Sequence, residues 1–559
     1  ALEEAAEYKH AARAYDEFLA NCGASKLVTE VRMRKAETTL QLGDVANAEK
    51  MFADAAAVEG FVSADHALFR QAYCAARQNK FAEAGQLYRT LTERFPQSSY
   101  IAGSKIAAGR AFYRAGQMEE AAKWMDDVIK DGGPDVAEAS HWRSRIHLRA
   151  GDAAAAAALT AKAIPEASDS PFLPNLKLDH ADALFEETDR RSESLDEYLA
   201  VYQAFPQHPV ASQALYNAAF TALELKQLDK AISLCSQFRQ AFAENSLLPD
   251  VAYVEAESQL QKKEYEKAQA IYTDLVAKHA ERDDVDVWRV RAGLCQYLQK
   301  NYQAVIDSLT PIAKDLKSPA AQAEASYWIG ASQFALNQLP KAKESLQSSL
   351  ATDPKCDRAD EALLCLARTQ LKLNETEEAR KSIETLQNGY PDSQVLDQAS
   401  YQLGEIAYAK GDFAGAVTAY DQVIAKWPNS DYVGYSLYGK GWGLLKLAQY
   451  APAADAFTTL IDKHSDHRLF ADACFARGMC RRQTGQLDEA LKDIERFLQT
   501  DPQPAQRADA LYEKGLAEVA GRKYAEAIAT FEGVLKNQPD NANSDRVLYE
   551  LAWAYSSSG

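Results

Sequence analysis

A fixed period governs this sequence. From Ala416 an alanine recurs every 37 residues, forward to Ala453, Ala490 and Ala527 and back to Ala379 and Ala342. The register continues through Val305, Ala268, Ala231 and Ser194, then loosens slightly through Ala156, Ala121, Ala84, Ala48 and Ala11. Thirteen of these fifteen positions are alanine, too regular for chance in a chain that is 47% hydrophobic. A period of this length marks stacked supersecondary units, none of which can bury its apolar surface without neighbours of its own kind.

One unit is clearest at residues 401–428, YQLGEIAYAKGDFAGAVTAYDQVIAKWP. The pattern predicts two short amphipathic helices joined at Lys410-Gly411-Asp412. The first packs through Leu403, Gly404 and Tyr408, the second through Ala416, Tyr420 and Ile424. Pro428 stops the second helix, as do Pro96, Pro206, Pro354, Pro391, Pro502 and Pro539 in other units, because proline cannot donate and disfavours helix in the residue before it. Several of these junctions read aromatic-Pro-x-Ser, with Ser98, Ser393 and Ser430 expected to cap the next helix.

A second marker lies twelve residues before the repeat alanine, in the middle of the first helix. It is small almost throughout, as at Ala72, Gly109, Ala256, Gly404, Gly441 and Gly515, and only Asp182 breaks the series. Glycine inside a helix costs about 1 kcal/mol against alanine. Its recurrence therefore predicts close approach of the partner helix, with the later alanine facing it. Four residues after the alanine a large residue fills the groove: Phe52, Tyr88, Met125, Tyr198, Tyr272, Leu346, Tyr420, Phe457 and Phe531.

Leu403-Gly404, Tyr408, Gly411-Asp412-Phe413, Ala416, Tyr420 and Pro428 resemble, in order, the motif of the tetratricopeptide (TPR) repeat. The resemblance covers essentially the whole chain, with 37 residues per unit in place of the usual ~34. It implies an all-α, right-handed solenoid superhelix of about fifteen helical hairpins. It also implies that first helices line a concave, partner-binding face. Tyr327-Trp328-Ile329-Gly330 and the aromatic-Pro-x-Ser joints are similar to bacterial cell-envelope TPR proteins of the Tol–Pal-associated and outer-membrane-assembly kinds. That likeness favours the periplasm or cell envelope over the cytoplasm.

The rhythm divides the chain into amino-terminal repeats over 1–164, an irregular joint at 165–194, and regular 37-residue repeats over 195–559. The joint holds Pro165, Pro171 and Pro174, then Asp182 and Ser194 where small residues are expected, with Thr188-Asp189-Arg190-Arg191 at the turn. A bend in the superhelix and a merely divergent repeat explain it equally well. Repeat phase makes residues 1–6 the end of a first helix and residues 548–555 a first helix without its second, so the native chain is expected to continue at one or both ends.

A formal net charge of −18 argues against nucleic acid as the main partner, since phosphate binding needs a basic face. No apolar run is long enough to span a membrane. The eight cysteines form no CxxC pair; Cys356 and Cys365 are weighed as a disulfide, with free buried thiols the better reading. Phosphate loops, zinc-protease signatures and nucleophile elbows are missing. Gly439-Lys440-Gly441-Trp442-Gly443 reads as helix packing, and Asp462, His464 and His467 as a polar joint more than a metal site. The chain is therefore read as a non-enzyme with no cofactor and no metal.

Two sets of first-helix residues are candidate contacts for protein partners. Three residues before the small marker stand Phe69, Tyr216, Tyr253, Tyr327, Tyr401, Tyr438, Phe475, Tyr512 and Tyr549, an aromatic ladder suited to an extended peptide or a docked helix, or else packed on the neighbouring repeat. Arg77, Arg114 and Arg149 share one position in three consecutive repeats, with Arg110 and Arg145 one turn before two of them. That stripe suits carboxylates or an acidic segment. Beyond it the corresponding face turns acidic at Glu186, Glu187, Glu224, Asp250 and Glu257.

The sequence reads best as a protein–protein interaction scaffold in a larger assembly. Two other classes stay open: a substrate-recruiting arm of an enzyme whose catalytic domain lies outside this chain, and a structural subunit that self-associates end to end through Leu551, Trp553 and Tyr555.

Overall fold

The computed structural model describes residues 7–538 and 543–559. Residues 1–6 and Pro539 lie outside the described residues. Thirty α-helices and one short 3-10 turn make up the regular structure described, with no strand among those residues. Two helices, Tyr8–Asn21 and Ser544–Ser557, stand singly, and the other 28 pair in chain order into fourteen hairpins. The chain forms two compact units, Ala1–Ala280 and Glu281–Gly559, each a stack of such hairpins.

The hairpin of Leu396–Ala409 and Phe413–Lys426 shows how the sequence builds a unit. Gly411 turns the chain at φ +81°, and the Asp412 carboxylate accepts the Gly415 N–H at 2.9 Å, capping the second helix. Ala416, Tyr420 and Val423 are buried, and Ile424 is half-buried against the core of the next hairpin. Thirteen of the fourteen hairpins turn through one residue with positive φ. At Lys226, Lys263, Lys300, Ala448 and Arg522 that residue has a side chain. A left-handed residue of this kind costs about 1–2 kcal/mol, which helix pairing offsets.

The repeat alanines are inaccessible in nearly every unit, and the small residues opposite them are small for a specific reason. A Cβ at Gly404 would sit 2.4 Å from the Tyr420 ring, and one at Gly441 would sit 2.5 Å from Phe457. What the glycine admits is thus the large side chain four residues beyond the alanine, more than the alanine itself. Those large residues are all buried, Tyr272, Phe457 and Phe531 at 0% exposure among them.

The joint serines differ from expectation. Ser98 and Ser393 accept the N–H two residues on, just before the helix begins, Ser430 accepts that of Tyr432, the first residue of its helix, and the three hydroxyls donate to Asp65, Asp360 and Asp397, each 33 residues earlier. All three tie one repeat to the previous one, and only Ser430 also reaches an N–H of the helix itself. All eight cysteines are free thiols, Cys356 and Cys365 included.

Within residues 165–194, Pro165 lies inside the helix Ala153–Glu166, and Leu173–Glu186 pairs with Arg191–Ala204. This is the one described hairpin that turns through a 3-10 segment, Thr188–Arg190, with no positive-φ residue. Ser194, in place of the repeat alanine, donates to the Ala181 carbonyl at 2.8 Å.

Candidate functional site

Among the described residues no group of three or more metal-ligating side chains converges. No helix there is long and apolar enough to cross a membrane. The concavities that matter lie along the first helices, where the candidate residues stand.

In the second unit, Tyr401 and Tyr438 occupy one ladder position in consecutive hairpins and line the same cavity, of about 490 Å³. Tyr408, Tyr420, Tyr435 and Trp442 complete its aromatic lining, with Glu405, Lys446 and Arg468 among its polar groups. Gly439 opens the floor: a Cβ there would meet the Tyr420 ring at 2.5 Å. Tyr420 donates to Glu405 at 2.5 Å, and Arg468 lies over the Tyr435 ring at 4.8 Å. Burial pushes the Tyr401 phenol well above its usual value, helped by the neighbouring Glu405 carboxylate. It is therefore a neutral donor near pH 7.

The other ladder residues share a pattern. Tyr253, Tyr401, Tyr438 and Tyr512 pack on the large residue of their own hairpin, at ring distances of 6.2, 6.1, 5.9 and 6.3 Å from Tyr272, Tyr420, Phe457 and Phe531. Tyr216 lies by Phe220, and Phe475 stacks on Phe497. One edge of each of these rings is structural while the ring stays half-buried. Tyr327 is buried and donates to Glu361 of the next hairpin at 2.8 Å, whereas Tyr549 is 69% exposed. The ladder is thus graded in exposure, from a core residue to a surface one.

In the first unit the arginines fall into two groups. Arg77, Arg110 and Arg114 line one cavity of about 220 Å³ with Tyr73, Phe81 and Tyr88. Arg110 pairs with Glu138 at 3.1 Å, and Arg114 lies over the Phe81 ring at 5.5 Å. Arg145 and Arg149 line a separate cavity of about 390 Å³. There Arg145 is already engaged, donating to Asp182 at 2.8 Å. Tyr198 and Asn217 donate to the same carboxylate at 2.6 and 3.0 Å. Asp182, the exception among the small markers, is therefore the hub of a polar network. Its carboxyl is pushed up by burial, against the opposing effect of the Tyr198 and Arg145 contacts. Beside it His141 bonds Asp179 at 2.6 Å, and burial raises the Asp179 carboxyl to about 6.

Sequence reasoning missed Tyr435 and Trp442 in the aromatic cavity, Tyr88 in the arginine cavity, and the Asp182–Tyr198–Asn217 set. The signal was present in the register: Asp182 and Tyr198 are sixteen positions apart within one hairpin, and both had been noted without being joined.

Residues 33–99, 106–171 and 483–542 match a family model described as tetratricopeptide repeat, and residues 324–355 match a second model so described. Residues 356–510, which hold the aromatic cavity, match a model described as outer membrane lipoprotein. No curated protein matches the chain. Among solved structures, the Cut9–Hcn1 hetero-tetramer of the APC/C is similar at 15% identity over 95% of this chain and 99% of that one, with a TM-score of 0.34. The C-terminal part of a TPR repeat-containing protein from Cytophaga hutchinsonii is 17% identical over 46% of this chain and 99% of its own, with a TM-score of 0.38. YrrB, described as a TPR protein with an unusual peptide-binding site, is 20% identical over 37% of this chain and 99% of its own, with a TM-score of 0.32. The repeat register, the all-helical hairpins built on it and the matching repeat models agree on one assignment: the chain is built with tetratricopeptide repeats.

Proposed function

We propose that this chain is a non-enzymatic scaffold that binds segments or subunits of other proteins along its first helices, using an aromatic site in the second unit and a basic site in the first. The observation that carries this reading is the sharing of one cavity by Tyr401 and Tyr438, equivalent residues of consecutive repeats. A periodic surface of this kind meets an extended or helical partner at more than one point, and rigid aromatic rings contribute contact area at low entropic cost. The arginines of the first unit extend the reading to acidic segments. The match of residues 356–510 to an outer-membrane lipoprotein model supports a setting in the bacterial envelope.

The test is capture of the native complex from its source, with mass spectrometry of its companions and of both termini of the chain. Envelope proteins cross-linked near Tyr401 and Tyr438 support the scaffold and its setting. A catalytic domain on the same chain moves the array to a recruiting arm, and companions bound only outside the two cavities overturn the site assignment. Self-association is a second reading, motivated by the exposed Leu548, Tyr549, Trp553 and Tyr555 on Ser544–Ser557. Sedimentation over a concentration range tests it, and a constant monomer removes it.

A further inference from the structure

In four hairpins whose two helices are both described, the large residue four positions after the repeat alanine or its substitute is a tyrosine: Tyr88, Tyr198, Tyr272 and Tyr420. Three of the four hydroxyls donate to a carboxylate on their own first helix. Tyr198 reaches Asp182 at 2.6 Å, Tyr272 reaches Glu257 at 2.6 Å, and Tyr420 reaches Glu405 at 2.5 Å. The fold thus repeats one device, a buried phenol donating to an acid at the groove surface.

Tyr88 has the phenol and lacks the acid. The position filled by Glu257 and Glu405 is Tyr73 in its hairpin. Tyr88 is 3% exposed, yet its hydroxyl has no hydrogen-bond partner among the described residues. It lines the cavity that Arg77, Arg110 and Arg114 also line, and no acidic residue is among the groups lining it. Arg77 and Arg114 form no ion pair among the described residues, while Arg110 reaches out to Glu138. Burial pushes the Tyr88 phenol up to about 12, so it keeps its proton at neutral pH. The hydroxyl thus faces the cavity as a donor that no protein group accepts, beside three guanidinium groups.

We infer that this cavity takes a carboxylate from an acidic peptide segment, the Tyr88 hydroxyl donating to it as its counterparts donate to Asp182, Glu257 and Glu405, and Arg77, Arg110 and Arg114 supplying the charge. The inference rests on the basic-site reading above and names the ligand group of that site. The carboxylate comes either from an acidic side chain or from a chain terminus; both present the same two acceptor oxygens.

The experiment uses the full chain and three fluorescent, N-acetylated probes: an amidated glutamate oligomer, an amidated glutamine oligomer, and a glutamine oligomer with a free terminal carboxylate. Anisotropy is measured at about 50 mM salt, where screening is weak. The amidated glutamine oligomer should not bind. Binding of the amidated glutamate oligomer assigns the site to side chains, and binding of the free-ended glutamine oligomer assigns it to a terminus. Tyr88→Phe should weaken the bound probe about tenfold, the scale of one hydrogen bond to a charged group. Tyr73→Glu, which puts a carboxylate where Glu257 and Glu405 stand, should weaken it at least as much by occupying the site from within. Tyr272→Phe, which breaks the same phenol–carboxylate pair in a hairpin that lines neither proposed site, should change nothing. Should Tyr73→Glu fail to fold, as read by circular dichroism, Tyr88→Phe carries the test alone. Loss of binding in Arg77→Gln with Arg114→Gln, but full binding in Tyr88→Phe, overturns the role of Tyr88 and leaves the basic site standing. No binding of either carboxylate probe by the unmodified chain, or equal binding of the amidated glutamine oligomer, overturns both.

Discussion

Tyr198 and Tyr420 occupy one register position, one in each compact unit, and each donates to a carboxylate of its own hairpin. Around Tyr198 that carboxylate, Asp182, is also bound by Arg145 and Asn217, and the side chain is 20% exposed. Around Tyr420 it is Glu405, exposed at the edge of an aromatic cavity. The same pair is therefore locked in a half-buried network at one cavity and carries an exposed acid at the other. What differs is the marker residue: Asp182 puts its acid at the small position itself, whereas Gly404 leaves that position empty and its neighbour Glu405 carries the acid outward. A repeat protein can lock one device in a network or leave its acid open by moving a single carboxylate one residue along a helix.

If that contrast is right, the largest effect on stability comes from the networked version. Asp182→Ala leaves the Arg145 guanidinium, the Tyr198 hydroxyl and the Asn217 amide without their common acceptor, three groups on three helices. The expected loss is about 3 kcal/mol, the lower end for breaking an enclosed ion pair, because Asp182 keeps some contact with solvent. Urea unfolding followed by circular dichroism measures it, and a loss near zero would make the network a surface feature like that of Glu405.

The next effect is a pH dependence confined to the first unit. Asp179, 2% exposed at its side chain, faces His141, Arg145 and Asp182. Its carboxyl holds a proton up to about pH 6 in the folded chain, against an ordinary value of 3.8. The folded state thus binds more protons in that window, so this group's contribution falls as pH rises from about 4 to about 6 and is level outside it. The size is below that of Asp182→Ala, since His141 and Arg145 remain to offset the charge. Thermal midpoints of the unmodified chain and Asp179→Asn, compared across pH 4 to 7, should diverge only within that interval. Parallel curves would mean that Asp179 is ionised throughout.

Much of this architecture was legible before any coordinate. The period, the two helices per unit, the buried alanines and the small markers all follow from one register, because each unit solves the same packing problem. The turns were legible only where glycine marks them, as at Gly411; Lys226, Lys263 and Lys300 adopt the same left-handed backbone with no local signal, since tertiary pairing overrides their preference. The joint serines were misread as caps because their true acceptors lie 33 residues away, in the previous repeat. The arginines looked like one stripe, but Arg145 bonds Asp182, and linear spacing does not reveal that its charge is already engaged. The aromatic ladder was visible as a series, while its grading from buried Tyr327 to exposed Tyr549 depends on what each neighbouring hairpin supplies.

The open version of the device should cost less to break. In Glu405→Ala the Tyr420 hydroxyl loses its acceptor but borders an open cavity where water reaches it, so about 1 kcal/mol is the expected loss of stability. Calorimetry of the unmodified chain and the variant gives the difference. A loss equal to that of Asp182→Ala would erase the distinction between locked network and exposed acid.

The smallest effect on stability belongs to Tyr88, and its smallness is the informative part. Tyr88→Phe removes a hydroxyl that no group of the described chain accepts, while the ring keeps its contact with Phe69 at 5.6 Å. Removing a donor that faces a cavity and that no protein group accepts is close to neutral, so the change should stay within about 0.5 kcal/mol. Tyr420→Phe, which removes a donor that has its acceptor, should cost about 1 kcal/mol by the same reasoning. The ordering of the two substitutions matters more than either value. With Tyr420→Phe the costlier in unfolding and Tyr88→Phe the costlier in acidic-probe binding, the two phenols divide structure and recognition between them. The reverse order in unfolding would mean that Tyr88 already has an acceptor, and the cavity beside it would then have no vacancy for a partner's carboxylate.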